Sequence, residues 1–176
     1  MARFIGLMLI LVAGLAACTT TSTVLGPDGQ PLQRAYRITN ADRVQIRMLD
    51  SINSLRFAAG LQGVSLNSQL NAAAATHSLD MSVQNRPWHF GSDGSSPIDR
   101  VVRTGYQGRL LGENISETYE TELETLAAWM ELQDTRGVIL DAEAVDMGFS
   151  WHQESNGKIW WTLILAAPAQ QFALAN

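Results

Sequence analysis

The sequence predicts an α+β domain, a three-layer α/β/α sandwich with a small, mainly antiparallel sheet between helices. Two observations carry that expectation. Segments with helical spacing come first and strand-like segments come last. The final strand-like run, Trp160-Trp161-Thr162-Leu163-Ile164-Leu165-Ala166, is too uniformly apolar to keep one wet face, so it is expected to be a central strand covered by helices on both sides.

Taken in order, the folded region begins with Asp42 as the cap of a helix in which Val44, Met48, Leu49, Ile52 and Leu55 keep a helical rhythm up to about Gly60. A second helix begins after Asn67 or Ser68 and aligns Leu70, Ala73, Ala74, His77 and Met81 on one inward face. Its alanine run, Ala72 to Ala75, allows another element to approach closely. Pro87 ends it and leaves Trp88 and His89 in the loop beyond. Gly91 to Pro97 is a turn leading into a short helix, with Ser95 or Ser96 as cap and Ile98, Val101 and Val102 as its apolar residues, ending near Thr104. Leu110 to Ile115 reads as a short strand. Glu120 to Leu132 reads as a helix with Leu123, Leu126, Ala127 and Met130 inward and Trp129 at its end. Val145 to His152 and Lys158 to Ala166 read as strands joined by a hairpin turn at Glu154-Ser155-Asn156-Gly157, with His152 an exposed strand residue.

At 176 residues the chain holds one domain and a leader. A net charge of -5 and the absence of any Lys/Arg run argue against nucleic acid as a partner. Cys18 is the only cysteine, so no internal disulfide forms. It follows Arg3, an uncharged stretch from Phe4 to Ala17 and the small-residue sequence Leu15-Ala16-Ala17, an order of charged, apolar and cleavage regions that predicts a signal peptide over residues 1–17. Leu-Ala-Ala-Cys is the lipobox pattern of bacterial lipoproteins, which makes Cys18 the lipid-bearing residue. Thr19 after it favours the outer membrane over the inner. The uncharged stretch falls short of the ~18 residues that a membrane-spanning helix needs. Residues 18–40 read as the lipidated cysteine and a flexible tether, 41–170 as the domain and 171–176 as a tail.

The residues that suggest chemistry lie between His77 and Ile115. His77-Ser78-Leu79-Asp80-Met81 is followed by Asn85, His89, Gly91, Asp93-Gly94, Arg100, Gly105-Tyr106 and Gly112-Glu113-Asn114-Ile115. Two of the three histidines fall in this stretch. No Gly-x-Ser-x-Gly elbow is present, so serine-hydrolase chemistry is set aside. Asp80 is expected to form an ion pair with Arg100 or Arg103. His77 is expected to be a packed, hydrogen-bonded core histidine. Trp88, Phe90, Tyr106 and Trp129 either line an apolar cleft or are core and wall residues.

That ordered set, with Trp129 in a later helix, resembles bacterial members of the CAP superfamily, the cysteine-rich secretory protein, antigen 5 and pathogenesis-related protein group built on the SCP domain. The resemblance covers Asp42 to Pro168 and implies a small α/β/α sandwich. It also implies a cleft of two histidines and two acids that holds a divalent metal, such as zinc, in some members. His89 matches the first histidine and Glu113 the first acid. Glu131, two residues after Trp129, is the nearest match to the second acid. The second histidine falls on Thr135, so the cleft is degenerate: His89 and Glu113 supply only two metal ligands, where a catalytic zinc usually has three from the protein. Asp93 and Asn114 belong to the matched motifs.

Two classes of function follow from the resemblance. The favoured one is a monomeric, lipid-anchored binding or interaction module whose cleft takes a protein, glycan or lipid. The other is a metal-assisted, peptidase-like hydrolase with His89 and Glu113 as the acid/base pair, and a lipid- or sterol-binding protein is a further alternative. The missing histidine favours binding over hydrolysis. A hydrogen-bonded His89–Glu113 pair that only anchors the loop to the strand is the structural alternative to catalysis.

Overall fold

The computed structural model describes residues 36–118 and 120–169. The signal peptide, Cys18, the tether up to residue 35 and the tail at 171–176 lie outside the described residues. In chain order the elements are α1 (Ala41–Ala58), β1 (Ser65–Leu66), α2 (Ser68–Gln84), α3 (Pro97–Arg103), β2 (Arg109–Thr118), α4 (Glu122–Glu131), α5 (Gln133–Ile139), β3 (Asp146–Gln153) and β4 (Ile159–Ala167). The sheet order is β1-β3-β4-β2, with β1 parallel to β3 and the other pairs antiparallel. Among the described residues no helix is long and apolar enough to cross a membrane.

The central strand is β4, and all nine of its residues are buried. Its alternating side chains divide between two cores. Ile159, Trp161, Leu163 and Leu165 pack with Val44, Met48 and Ile52 of α1 and with Leu126 and Trp129 of α4. Ile164 and Ala166 pack on the other side with Leu70, Ala73 and Ala74 of α2 and Val101 of α3. Each large apolar side chain buried this way contributes roughly 1.5–3 kcal/mol, which is why a strand without a polar face settles in the middle of the sandwich. Close approach on the α2 side is steric: a Cβ on Gly148 would lie 2.3 Å from the Leu70 carbonyl carbon, so the start of α2 rests directly on β3.

Several local expectations are corrected. Asn40, not Asp42, caps α1, accepting from the Arg43 amide at 2.9 Å, while Asp42 sits in the first turn. Asn85, in a left-handed conformation at φ 50°, ends α2 before Pro87 is reached. Strand β2 runs ten residues rather than six, with a register shift between Leu110 and Gly112. In α4 the buried residues are Glu122, Thr125, Leu126 and Trp129, whereas Leu123 and Ala127 are exposed and Met130 is half-buried. The Thr121–Glu124 capping box fixes the phase of this helix, and Glu122 can turn inward because Arg47 of α1 pairs with it at 2.5 Å. His152 is half-buried rather than exposed.

Residues 36–40, grouped with the tether in the sequence, are docked. Tyr36 and Ile38 pack against the first core, and the Arg37 guanidinium donates to the carbonyls of Glu154 and Ser155 in the β3–β4 hairpin. A side chain that local sequence patterns do not flag pins the opposite end of α1. Arg56 is fully buried and donates from Nε to the Gln62 carbonyl at 2.9 Å. Its Nη1 donates to Ile139 and Asp141 at 2.8 and 2.9 Å, and its Nη2 to Ala144 at 3.1 Å.

Strand β1 is only two residues long, so most of β3 has no strand on its outer edge. Two helix side chains take that place: the Phe149 amide donates to Asn71 Oδ1 of α2, and the Phe149 carbonyl accepts from Gln45 Nε2 of α1, both at 2.8 Å.

Candidate functional site

The site is built outward from Glu113. This residue lies on β2 opposite Ile164, which places its side chain on the α2/α3 side of the sheet, where it is buried. Arg100 of α3 is buried against it, with Nη2 at 2.8 Å from Oε2 and 3.0 Å from Oε1, and Nη1 donating to the Ser95 carbonyl at 3.1 Å. His89, in the loop between α2 and α3, approaches from solvent. Its Nδ1 lies 2.9 Å from Oε1, and its side chain is half exposed. An ionised carboxylate only accepts, so Nδ1 carries the proton and Nε2 is the acceptor of the neutral ring. His77 of α2 completes the group from within, with Nε2 3.6 Å from Oε1, beyond hydrogen-bond reach.

The loop that delivers His89 and Arg100 is folded around Asp80, which corrects the expectation of an ion pair there. Asp80 accepts from the Ser92 amide at 2.7 Å, the Ser92 hydroxyl at 2.6 Å and Gln84 Nε2 at 3.0 Å. A Cβ on Gly91 would come within 2.6 Å of Ser95 Oγ and 2.7 Å of Asp93 Oδ1, so a larger residue there would displace the side chains that fold this turn. Asp93 accepts from the Ser95 amide and pairs with Arg103 at 2.6 Å. The Ser95 hydrogen bonds, helped by Arg103, hold its carboxyl well below the usual carboxylate range. The Ser96–Asp99 capping box then starts α3 and sets Arg100 one turn in.

His77 departs from expectation in one respect. It is a fully buried core histidine, yet neither ring nitrogen has a partner in good hydrogen-bond geometry, although the Trp88 carbonyl lies near enough to influence its titration. Burial pushes its pKa below the ordinary histidine value; Glu113 opposes this and Arg100 reinforces it. Because the folded pKa lies below the unfolded one, the unfolded chain binds the extra proton. Stability is therefore complete above the unfolded value near 6.5 and falls as pH drops below it, by up to about 1.4 kcal/mol per pH unit. Urea unfolding followed from pH 7.5 to 5.5 is expected to show this slope, and His77→Leu is expected to flatten it.

The remaining matched residues serve the frame. Asn114, buried, donates from Nδ2 to the Thr135 carbonyl at 2.9 Å, and the Thr135 hydroxyl donates to the Trp129 carbonyl at 2.6 Å, within the α4–α5 junction. Trp129 is a core residue whose indole N–H reaches the Ile115 carbonyl at 3.2 Å. Tyr106 is also buried, bonding Asp146 and the Ala167 carbonyl. Its hydroxyl is held far above the usual tyrosine range by burial and by Asp146. Glu131 is exposed on α4. Of the four aromatic residues considered for a cleft, only Trp88 and Phe90 reach the surface beside His89.

A metal ion does not fit this arrangement. Both Glu113 oxygens hold the Arg100 guanidinium, a fixed positive charge where a cation would have to sit, and the Thr135 hydroxyl is directed to a carbonyl. Among the described residues no group of three or more His, Cys, Asp or Glu is arranged to hold a metal. Arg100 also borders a groove of about 560 Å³ between α2 and α3. Ala73, Leu79 and Val83 form its aliphatic wall, and Arg103 and Asp93 lie on its polar side.

Comparison with known proteins agrees with this architecture. YkwD, an uncharacterized protein of Bacillus subtilis, is 27% identical over 114 residues, 65% of this chain and 44% of its own length. An extracellular protein containing a SCP domain from Bacillus anthracis superposes with a TM-score of 0.64 at 19% identity, covering 75% of this chain and 45% of that one. An outer surface protein from Borrelia burgdorferi gives 0.62 at 13% identity over 77% of this chain and 99% of that one. The chain thus spans less than half the length of the two Bacillus relatives. The CAP family pattern, described as the cysteine-rich secretory protein family, matches residues 49–165, and this chain belongs to that family.

Proposed function

We propose that this protein is a monomeric cell-envelope lipoprotein, held in the outer membrane by lipid on Cys18, whose CAP domain is a binding module rather than a hydrolase. The observation that carries the reading is the Glu113 carboxylate, held through both oxygens by buried Arg100 and through one by His89. Committed to Arg100 and His89, this carboxylate orients the His89 ring, and among the described residues no set of three metal ligands stands beside that ring to activate a water for it. The groove between α2 and α3, with its aliphatic wall and polar side, is a ligand site of the size that small apolar ligands take, and it shares Arg100 with the His89–Glu113 pair. The surface and extracellular descriptions of the Borrelia and Bacillus anthracis proteins support the envelope location.

Calorimetric zinc titration of the chain, beside His89→Ala and Thr135→His, tests the choice. The parent is expected to give no binding in the micromolar range, because three protein ligands are not available. Micromolar binding in the parent that disappears in His89→Ala, with zinc-dependent peptide cleavage, would replace the binding module by the hydrolase. Binding gained in Thr135→His alone would mark a site that has lost its metal.

A further inference from the structure

We infer that the loop Arg86–Phe90 is a membrane-contact element that rests on a phospholipid surface, an inference that stands on the lipid-anchor reading above. The Arg86 guanidinium carbon lies 3.9 Å from the centre of the Trp88 ring, and Trp88 and Phe90 meet at 5.6 Å and 55°. The Trp88 indole N–H donates to Gln84 Oε1 at 2.7 Å, so the ring needs no specific acceptor from a ligand. Phe90 is 48% exposed, and Val83 and Leu79, one helical turn apart on α2, are 74% and 50% exposed. Aromatic rings with an arginine guanidinium stacked on one of them suit the headgroup level of a bilayer, where the rings enter the interface and the charge stays among the headgroups.

The path of the chain selects a bilayer as the occupant. Arg37, next to the first described residue, is fastened to the β3–β4 hairpin, and Lys158 of that hairpin bonds to Asn85, the residue that ends α2 and begins this loop. The anchored segment and the loop therefore leave the domain at the same end. The residues from Cys18 to the first described residue, at about 3.4 Å each, span at most about 60 Å, so lipid on Cys18 keeps a bilayer within reach of the loop. With a net charge of -5, attraction to anionic headgroups does not drive the contact, and the apolar and aromatic side chains must. His89 lies within this loop, so seating the loop would also fix the position of the Glu113 partner.

The test uses the full lipidated chain in vesicles of phosphatidylethanolamine and phosphatidylglycerol doped with acyl-brominated lipid. Tryptophan emission is expected to fall, by about two-fold more in the parent than in Trp88→Phe, and Phe90→Ser is expected to reduce the drop. Vesicle flotation and the mass of the Cys18 peptide report the anchor separately. A chain that floats with its emission unchanged overturns the loop contact and leaves the anchor standing. A chain that neither floats nor carries lipid overturns the anchor, and the loop contact with it.

Discussion

Replacing Arg56 with alanine is expected to lower the free energy of unfolding by about 3–5 kcal/mol, a large share of the 5–15 kcal/mol that holds a typical domain. The backbone carbonyls of Gln62, Ile139 and Ala144 lose their Arg56 donor in a region with little access to water, while that of Asp141 loses it but keeps the Ala144 amide at 3.2 Å. Each buried acceptor left unmatched costs about 1–3 kcal/mol, and the cavity adds to the loss. Arg56→Lys keeps the charge but offers one nitrogen in place of three and is expected to recover only part of it. Burial already pulls the Arg56 pKa down from the usual arginine value, with Asp141 opposing, so a more easily neutralised lysine suits the site poorly. Urea midpoints for the two variants measure this, and a loss below about 1 kcal/mol in Arg56→Ala would show that the segment around Ala144 holds without the clamp.

Glu113→Leu is expected to be nearly as damaging, at about 3–5 kcal/mol, because it leaves the Arg100 guanidinium buried with no countercharge. The double variant Glu113→Leu/Arg100→Leu is expected to be more stable than the single one, since burying two apolar side chains avoids desolvating an ion pair. A double-mutant cycle by urea unfolding measures the difference. Equal destabilisation in the single and double variants would mean that the pair is not the unit holding β2 to α3. His89→Ala, unfolded in the same way, removes a half-exposed partner of Glu113 and should cost far less.

The layers of the fold were legible in the sequence because β4 is apolar along its whole length and the helices repeat their apolar residues in phase. Legibility failed where length or phase gave no signal. Two residues of β1 carry no period. The seven-residue α5 follows Leu132, an N-cap with no side-chain hydrogen bond, so nothing in the local sequence announces it. In α4 the apolar residues Leu123 and Ala127 suggested a face that is in fact wet. A buried glutamate reads as a surface residue until its partner, Arg47 on another helix, is known. At the site, the resemblance to the family singled out His89 and Glu113 for the cleft, with Arg100 only a member of the matched pattern, and it also pointed to Glu131, which is exposed on α4. The pairing of Arg100 with Glu113 rather than Asp80 was hidden, because Asp80 is taken up by the amide and hydroxyl of Ser92, and the face of β2 on which Glu113 lies is set by its register with β4.

The two side chains that meet Phe149 on the outer edge of β3 also govern how copies of this domain meet one another. An edge with free amides and carbonyls is a template on which another strand can add, and from there sheet-to-sheet aggregation can grow. Asn71 and Gln45 occupy both backbone groups of Phe149 with amides carried by helices, which cannot propagate a ladder. At high local density, neighbouring copies would have to break both bonds before this edge of the sheet could accept another strand.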